Sequence, residues 1–215
     1  DTIPYEHVHG KYIFEVAKNR YSVTYAFTDI TYNAADGTEQ ERIFLAYGDV
    51  LNGFDTTDDI QITLHNNVVN QKEFSGKVLL KPVNDGFDEY RQEYNEMLLD
   101  KMEQGQNGIT TKKYFTVTVA AASLELAQQK IAANELALRT AFQKIGSNIE
   151  KLKANERIRI IADIFRGVNQ EIRPITTSQF MRGAEKSLCC PDYFEFKKDY
   201  FLYNDKFARM VYLKH

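Results

Sequence analysis

Hydrophobic and polar residues alternate in two early segments of the chain, and this pattern predicts a β-hairpin. The segments 12–16 and 21–30 are rich in aromatic and β-branched residues and are joined by the four residues 17–20. In the second segment, alternation places four large residues on one face: Tyr21, Val23, Tyr25 and Phe27. We expect this face to lie in the core, and the opposite face, with its small and hydroxyl residues, to tolerate water.

Further along the chain, apolar residues spaced by three and four positions predict four helices. Their approximate ranges are 37–53, 86–104, 123–146 and 155–166. Strands are predicted at 60–64, 112–121 and 148–153, and a short helix or turn at 71–74. A final hairpin is predicted from 193–203 and 206–214, because Asn204 and Asp205 between them tolerate the backbone of a tight turn.

The order of these elements predicts an α+β fold. With the inserted helix 86–104 removed, residues 21–153 run β-α-β-β-α-β, the ferredoxin-like split βαβ arrangement. In that arrangement two helices cover one face of an antiparallel sheet, and the first hairpin strand extends an edge. We therefore expect a ferredoxin-like N-terminal domain over 1–166, a linker with a short helix near 177–184 within 167–191, and a C-terminal β-hairpin over 192–215.

The composition is typical of a folded globular protein. The 215 residues can bury the core of one domain, and 43% are hydrophobic and 27% charged. The net charge of −3 argues against a strongly basic surface for nucleic acid. No apolar run approaches the roughly 20 residues of a membrane-spanning helix and no signal peptide is visible, so we expect a cytoplasmic protein. Two cysteines are too few for a disulfide scaffold.

The sequence contains no phosphate-binding loop of the G-x-x-x-x-G-K-[ST] type. Gly48 and Gly53 have the required separation, but Phe54 and Asp55 stand where the loop needs Lys and Ser or Thr. The two glycines also fall within or at the end of a predicted helix rather than between a strand and a helix. We therefore predict no nucleotide site.

The histidines and cysteines do not form a predicted site either. His7 and His9 make an H-x-H pair, but a zinc site needs further ligands, and we expect the pair to be solvated. Adjacent Cys189 and Cys190 would form a strained disulfide and are interpreted as a half-buried thiol pair. We predict no catalytic, cofactor-binding or metal-ligating residue in this chain.

The predicted helix 86–104 is amphipathic and acidic. Its apolar stripe comprises Phe87, Tyr90, Tyr94, Met97, Leu98 and Met102. Its carboxylates are Asp88, Glu89, Glu93, Glu96, Asp100 and Glu103. Because Arg91 and Lys101 are interspersed among them, the distribution is typical of a solvated face, although such a face can also dock a basic partner. A hydrolase that uses these carboxylates for acid–base chemistry is a further alternative.

The C-terminal hairpin interleaves aromatic and basic residues: Tyr193, Phe194, Phe196, Lys197, Lys198, Tyr200 and Phe201. One interpretation is a strand whose apolar face awaits a partner domain. The alternative is a module that binds single-stranded nucleic acid, since rings stack on bases and lysines attract phosphates. Residues 112–116 partly match an RNA-recognition strand but lack its glycine and its later aromatic residue. The predicted partner surface comprises Asp88, Glu89, Glu93, Glu96, Phe194, Phe196, Lys197, Lys198 and Tyr200.

Segments spread over nearly the whole chain carry a family resemblance. They are 1–5, 10–16, 21–30, 60–63, 70–74, 86–95, 107–109 and 194–201. In their sequence and order they resemble the N-terminal region of VirB-type (TraC/TraE-like) conjugative-transfer ATPases of type IV secretion systems. The likeness is greatest to the ATPases carried by conjugative transposons of Gram-positive bacteria. None of the segments is a catalytic motif.

The resemblance implies a parent ATPase that energises DNA transfer, with this chain as its non-catalytic front end. In the family a RecA-like motor domain follows this region and holds ATP and Mg²⁺, so the chain itself is expected to bind neither, and its hairpin 192–215 to lead into the motor. The implied partners are other type IV secretion components, the parent's motor domain and further copies assembled through the parent. The implied location is the inner face of the bacterial cell membrane, as a peripheral cytoplasmic protein.

Overall fold

The computed structural model describes residues 3, 5–30, 32, 35–68, 79–103, 109–166, 185–204 and 206–212. Within these residues the strands are β1 (His7–His9), β2 (Ile13–Ala17), β3 (Arg20–Phe27), β4 (Asp59–Val68), β5 (Ile109–Ala120), β6 (Ile149–Lys151), β7 (Phe194–Phe196), β8 (Phe201–Tyr203) and β9 (Lys206–Ala208). The helices are α1 (Gly37–Asn52), α2 (Asp88–Glu103), α3 (Leu124–Lys144), α4 (Ala154–Arg166) and α5 (Glu185–Cys189). The short elements predicted at 71–74 and 177–184 lie outside the described residues.

The larger sheet has six strands and confirms the predicted α+β, ferredoxin-like fold. Its order is β1-β2-β3-β5-β4, and β6 pairs with β3. Strand β3 pairs antiparallel with β5 along its whole length, from Arg20 opposite Ala120 to Phe27 opposite Lys113. Its other edge is shared, with β2 on the first half and β6 on the second. The resulting order β6-β3-β5-β4 is that of the split βαβ arrangement.

The main core lies between the sheet and helices α1 and α3. The predicted inward face of β3 is buried at Tyr21, Val23 and Tyr25. Facing it, α3 buries four residues spaced as the sequence predicted: Ala127, Ile131, Leu138 and Phe142. Ser123 caps α3 as predicted, because its side chain accepts a hydrogen bond from the Leu126 amide. Alternation and helical spacing therefore identify this core correctly.

The opposite face of β3 is not open to water, in contrast to the expectation from the sequence. Ser22 and Thr24 are both buried, and the Thr24 hydroxyl lies 2.8 Å from the Thr116 hydroxyl. The reason is a second apolar cluster in which Phe14 of β2, paired with Ser22, packs with residues of α4 such as Ile158. Helix α4 thus covers the face of β3 whose small and hydroxyl residues predicted exposure to water.

The C-terminal segment differs in detail from the prediction. The predicted strand 193–203 contains two short strands, β7 and β8. The C-terminal segment is therefore a separate three-stranded antiparallel sheet of order β7-β8-β9. The chain also divides into two compact units, one formed by 1–63 with 113–215 and the other by 64–112. The inserted helix α2 belongs to the second unit.

Candidate interaction surfaces

Helix α2 is held in place by the segment that precedes it. The Asn95 side chain exchanges two hydrogen bonds of 2.9 Å with the backbone of Leu80. Closer to the helix start, Asp88 accepts hydrogen bonds from the amides of Val83 and Asn84, at 2.9 and 2.8 Å. These contacts lie along one side of the helix, so residues 80–84 occupy that side.

Arg91 adds contacts to two carboxylates. We name the contacts that Asp88, Arg91 and Asn95 make with residues 80–85 the α2 clamp. The Arg91 guanidinium donates to both carboxylate oxygens of Asp85 at 2.5 Å and to Asp88 at 2.7 Å. The hydrogen bond from Arg91 holds the pKa of Asp85 well below its usual range. The pKa of Asp88 is also lowered, chiefly because the Val83 amide donates to its carboxylate. Both aspartates therefore serve to fix the local fold.

Four of the six residues of the predicted apolar stripe are exposed, whereas Leu98 is half-buried. The exposed fractions are 61% for Phe87, 67% for Tyr90, 46% for Tyr94 and 42% for Met97. The spacing of three, four and three residues, counted from Phe87 directly before the helix, places them along one line of the helix surface. The sequence correctly predicts this stripe, but the prediction does not extend to its exposure. We name these four residues the α2 aromatic stripe.

A row of carboxylates runs beside the α2 aromatic stripe. Its members are spaced by four, three and four residues and are all exposed: Glu89, Glu93, Glu96 and Asp100. Glu93 is three residues from Tyr90 and four from Met97, so the row and the stripe are neighbours on the helix surface. Within the described residues, no Lys or Arg pairs with a member of this row. Asp88, also predicted as a partner residue, instead belongs to the clamp.

The C-terminal sheet is tied to the end of α4. Arg166 pairs with Asp192 at 2.7 Å, and the Asn204 side chain donates to the Arg166 carbonyl at 3.4 Å. The same Asn204 accepts hydrogen bonds from the amides of Asp192 and Tyr193. Its positive φ of 51° suits a turn that an Asn tolerates.

Strand pairing gathers aromatic rings on one face of the C-terminal sheet. Phe194 lies opposite Tyr203 and Phe196 lies opposite Phe201, so the four side chains share a face. The ring centroids of Phe194 and Phe196 are 4.8 Å apart, and those of Phe194 and Phe201 are 5.2 Å apart. Phe196 is 79% exposed and Phe194 is 44% exposed. We name these four residues the C-terminal aromatic face.

The lysines predicted beside these rings have a different environment. Lys197 donates to Glu195 at 2.5 Å, and Glu195 points to the face opposite the aromatic one because successive strand residues alternate. The hydrogen bond from Lys197 lowers the pKa of Glu195, and the same bond raises the pKa of Lys197. Tyr193 also donates to Glu195, at 2.5 Å. Lys198 and the 45%-exposed Tyr200 lie in the turn between β7 and β8.

The half-buried Arg157 was not singled out by the sequence. Its guanidinium stacks on the Phe14 ring, 4.4 Å from the centroid, and donates to the Ser22 carbonyl at 3.2 Å. Burial lowers the pKa of Arg157 to about 10. The amphipathic pattern of α4 places position 157 beside inward-facing Ile158. The pattern alone does not show which residues the Arg157 guanidinium contacts.

The remaining histidine and cysteine predictions concern single contacts. His9 lies 2.7 Å from a carboxylate oxygen of Glu15 on the neighbouring strand and is therefore not simply solvated as expected. Cys189 is buried with its thiol 3.7 Å from the Ile158 carbonyl, and Cys190 is half-buried. Among the residues that the structure describes, no group of three or more His, Cys, Asp or Glu side chains is arranged to hold a metal ion.

Comparison with known proteins adds no family assignment. The chain matches no protein-family model and shows no significant similarity to a curated protein. Across the described residues, none of the helices combines the length and apolar character needed to cross a membrane. The exposed apolar surfaces of α2 and of the C-terminal sheet are therefore the features on which a functional proposal rests.

Proposed function

We propose that this chain is a non-catalytic protein-interaction module, the N-terminal region of a conjugative-transfer ATPase of a type IV secretion system. It docks the motor to the membrane-embedded transfer machinery from the cytoplasmic side. ATP and Mg²⁺ are bound by the motor domain of the parent. The resemblance of eight sequence segments to that family supports the identity, and the exposed apolar surfaces support the role.

The C-terminal aromatic face is the single observation that carries this proposal. Four rings share one face, and Phe196 leaves 79% of its surface in water. Clustered exposed aromatic side chains commonly mark protein–protein contacts, because their burial contributes much of the binding free energy. The hydrogen bonds of Asn204 and the Arg166–Asp192 ion pair fix the sheet beforehand, which reduces the entropy lost on binding.

The alternative, a module that binds single-stranded nucleic acid, is less well supported. That function needs lysines beside the stacking rings. Here Lys197 is paired with Glu195, on the face opposite the aromatic rings. A surface with rings on one side and a neutralised cation on the other favours an apolar protein partner.

The proposal is tested by site-specific photo-cross-linking in donor cells that carry the full-length parent. A photoreactive phenylalanine analogue replaces Phe196, and in a matched control it replaces Leu136, which is 71% exposed on α3. We expect position 196 to cross-link to the parent's motor domain or to another secretion component, and position 136 to give neither. The proposal is wrong if the parent reading frame encodes no motor domain, or if both positions give the same products.

A further inference from the structure

We propose that helix α2 is the docking site for a basic amphipathic helix of a partner protein, which lays its apolar side on the α2 aromatic stripe and its cations along the carboxylate row. The inference rests on the proposed function, because it names a partner class for an interaction module. It concerns a different surface from the C-terminal aromatic face.

The first argument is that, among the described residues, one side of the helix is covered and another side is exposed. Residues 80–85 cover the first side through the contacts of Asn95, Asp88 and Arg91. On the open side, each residue of the stripe exposes at least 42% of its surface. An isolated 16-residue helix is only marginally stable in water, and here the clamp contributes the missing stability. The stripe is therefore presented in a fixed conformation before any partner arrives.

The second argument is charge complementarity. Glu89, Glu93, Glu96 and Asp100 lie on one side of the stripe, and no described cation neutralises them. A partner helix with Lys or Arg at matching positions gains favourable interactions along the whole row, while an acidic partner is repelled. Helix-in-groove recognition uses the same combination of apolar anchors at three- and four-residue spacing with flanking charges.

The carboxylate row also argues against a second copy of this chain as the occupant. Two α2 helices packed antiparallel through their stripes bring the same flank of each helix together, so carboxylates face carboxylates. A negatively charged lipid surface is disfavoured for the same electrostatic reason. A basic protein segment is the occupant that satisfies both the apolar stripe and the charges.

A peptide titration tests the inference directly. The probe is an 18-residue capped peptide of Leu and Lys at helical spacing that contains one Trp, and its counterpart has Glu in place of Lys. Because the chain contains no Trp, fluorescence reports the peptide alone. We expect binding of the Lys peptide with a dissociation constant in the micromolar range, weakening as salt rises, and no measurable binding of the Glu peptide.

Three variants locate the site. Tyr90→Ala with Tyr94→Ala should weaken binding by about tenfold or more, because it removes two aromatic anchors. The triple variant Glu89→Gln, Glu93→Gln and Asp100→Asn keeps the stripe and should reduce both the affinity and its salt dependence. The matched control is Phe44→Ala with Leu45→Ala, an exposed apolar pair on α1, which belongs to the other compact unit. This control should bind the Lys peptide with the same affinity as the chain without substitutions.

Several results would overturn the inference. They are equal binding of the Lys and Glu peptides, unchanged binding by the Tyr90 and Tyr94 variant, equal weakening in the α1 control, dimerisation through α2, or binding of phosphatidylcholine vesicles through the stripe. The peptide titration and the cross-linking at position 196 use different surfaces. Failure of one therefore does not imply failure of the other.

Discussion

Helices α2 and α3 have the same kind of sequence pattern but different surroundings. Both carry apolar residues at three- and four-residue spacing. Helix α3 buries four of them against the sheet, whereas Tyr90 of α2 and Phe87 directly before it are more than 60% exposed. The comparison shows that periodicity predicts a helix and its apolar stripe. Whether the stripe forms a core or a contact surface depends on what covers it.

The largest expected difference between the two helices is in stability. Phe142→Ala in α3 should lower the free energy of unfolding by about 3–5 kcal/mol, because it leaves a cavity beside Phe27 and Phe115. Tyr94→Ala in α2 should change it by less than about 0.5 kcal/mol, because the side chain is exposed. Urea unfolding followed by circular dichroism measures both. Equal losses would mean that the α2 stripe is buried in solution.

A smaller effect is expected at the start of α3. Ser123→Ala removes the side chain that accepts the Leu126 amide and should cost about 1 kcal/mol. Ser123→Thr keeps the hydroxyl and serves as the control, with most of the stability retained. The same unfolding measurement applies. If Ala and Thr at position 123 behaved alike, the cap would not contribute to the helix.

The smallest expected effect is a local response of the α2 clamp to pH. Asp85 and Asp88 have lower pKa values in the clamp than in an open segment, where an Asp titrates near 3.9. Their contribution is therefore complete above about pH 4 and is lost as the pH falls through the lower, clamped values. Amide NMR signals of Val83 and Asn84 should report this loss while signals of α3 stay unchanged at that step.

Arg91→Gln sharpens the pH experiment. Without the guanidinium, the pKa of Asp85 should return towards its usual value, and the local transition should move to higher pH. The neutral side chain at position 91 keeps a similar length and helix propensity. A transition that does not move would show that Arg91 does not hold the clamp.

Part of the molecule follows directly from its sequence. The α+β class, the split βαβ order, the bounds of α2 and α3 to within a few residues and the core face of β3 were all predicted correctly. These features depend on residues close together in the chain, whose periods of two and 3.6 are properties of the backbone.

The features that the sequence did not predict have different causes. The hydroxyl face of β3 is buried because α4, more than 125 residues later, brings Ile158 and Arg157 against it. The sequence pattern predicted the C-terminal hairpin but did not separate β7 from β8, because short strands have little local signal. The clamp on α2 was missed because hydrogen bonds from Asn95 and Arg91 to the preceding segment leave no periodic pattern.

The sequence by itself determined the main helices, the longer strands and their apolar positions, because local spacing selects the backbone conformation. The tertiary structure alone decided which apolar faces are covered. Helix α3 meets the sheet, and β3 is enclosed on both sides. Among the described residues, the Tyr90 side chain of α2 and the Phe196 ring of the C-terminal sheet remain exposed, because the segments packed beside them cover other faces.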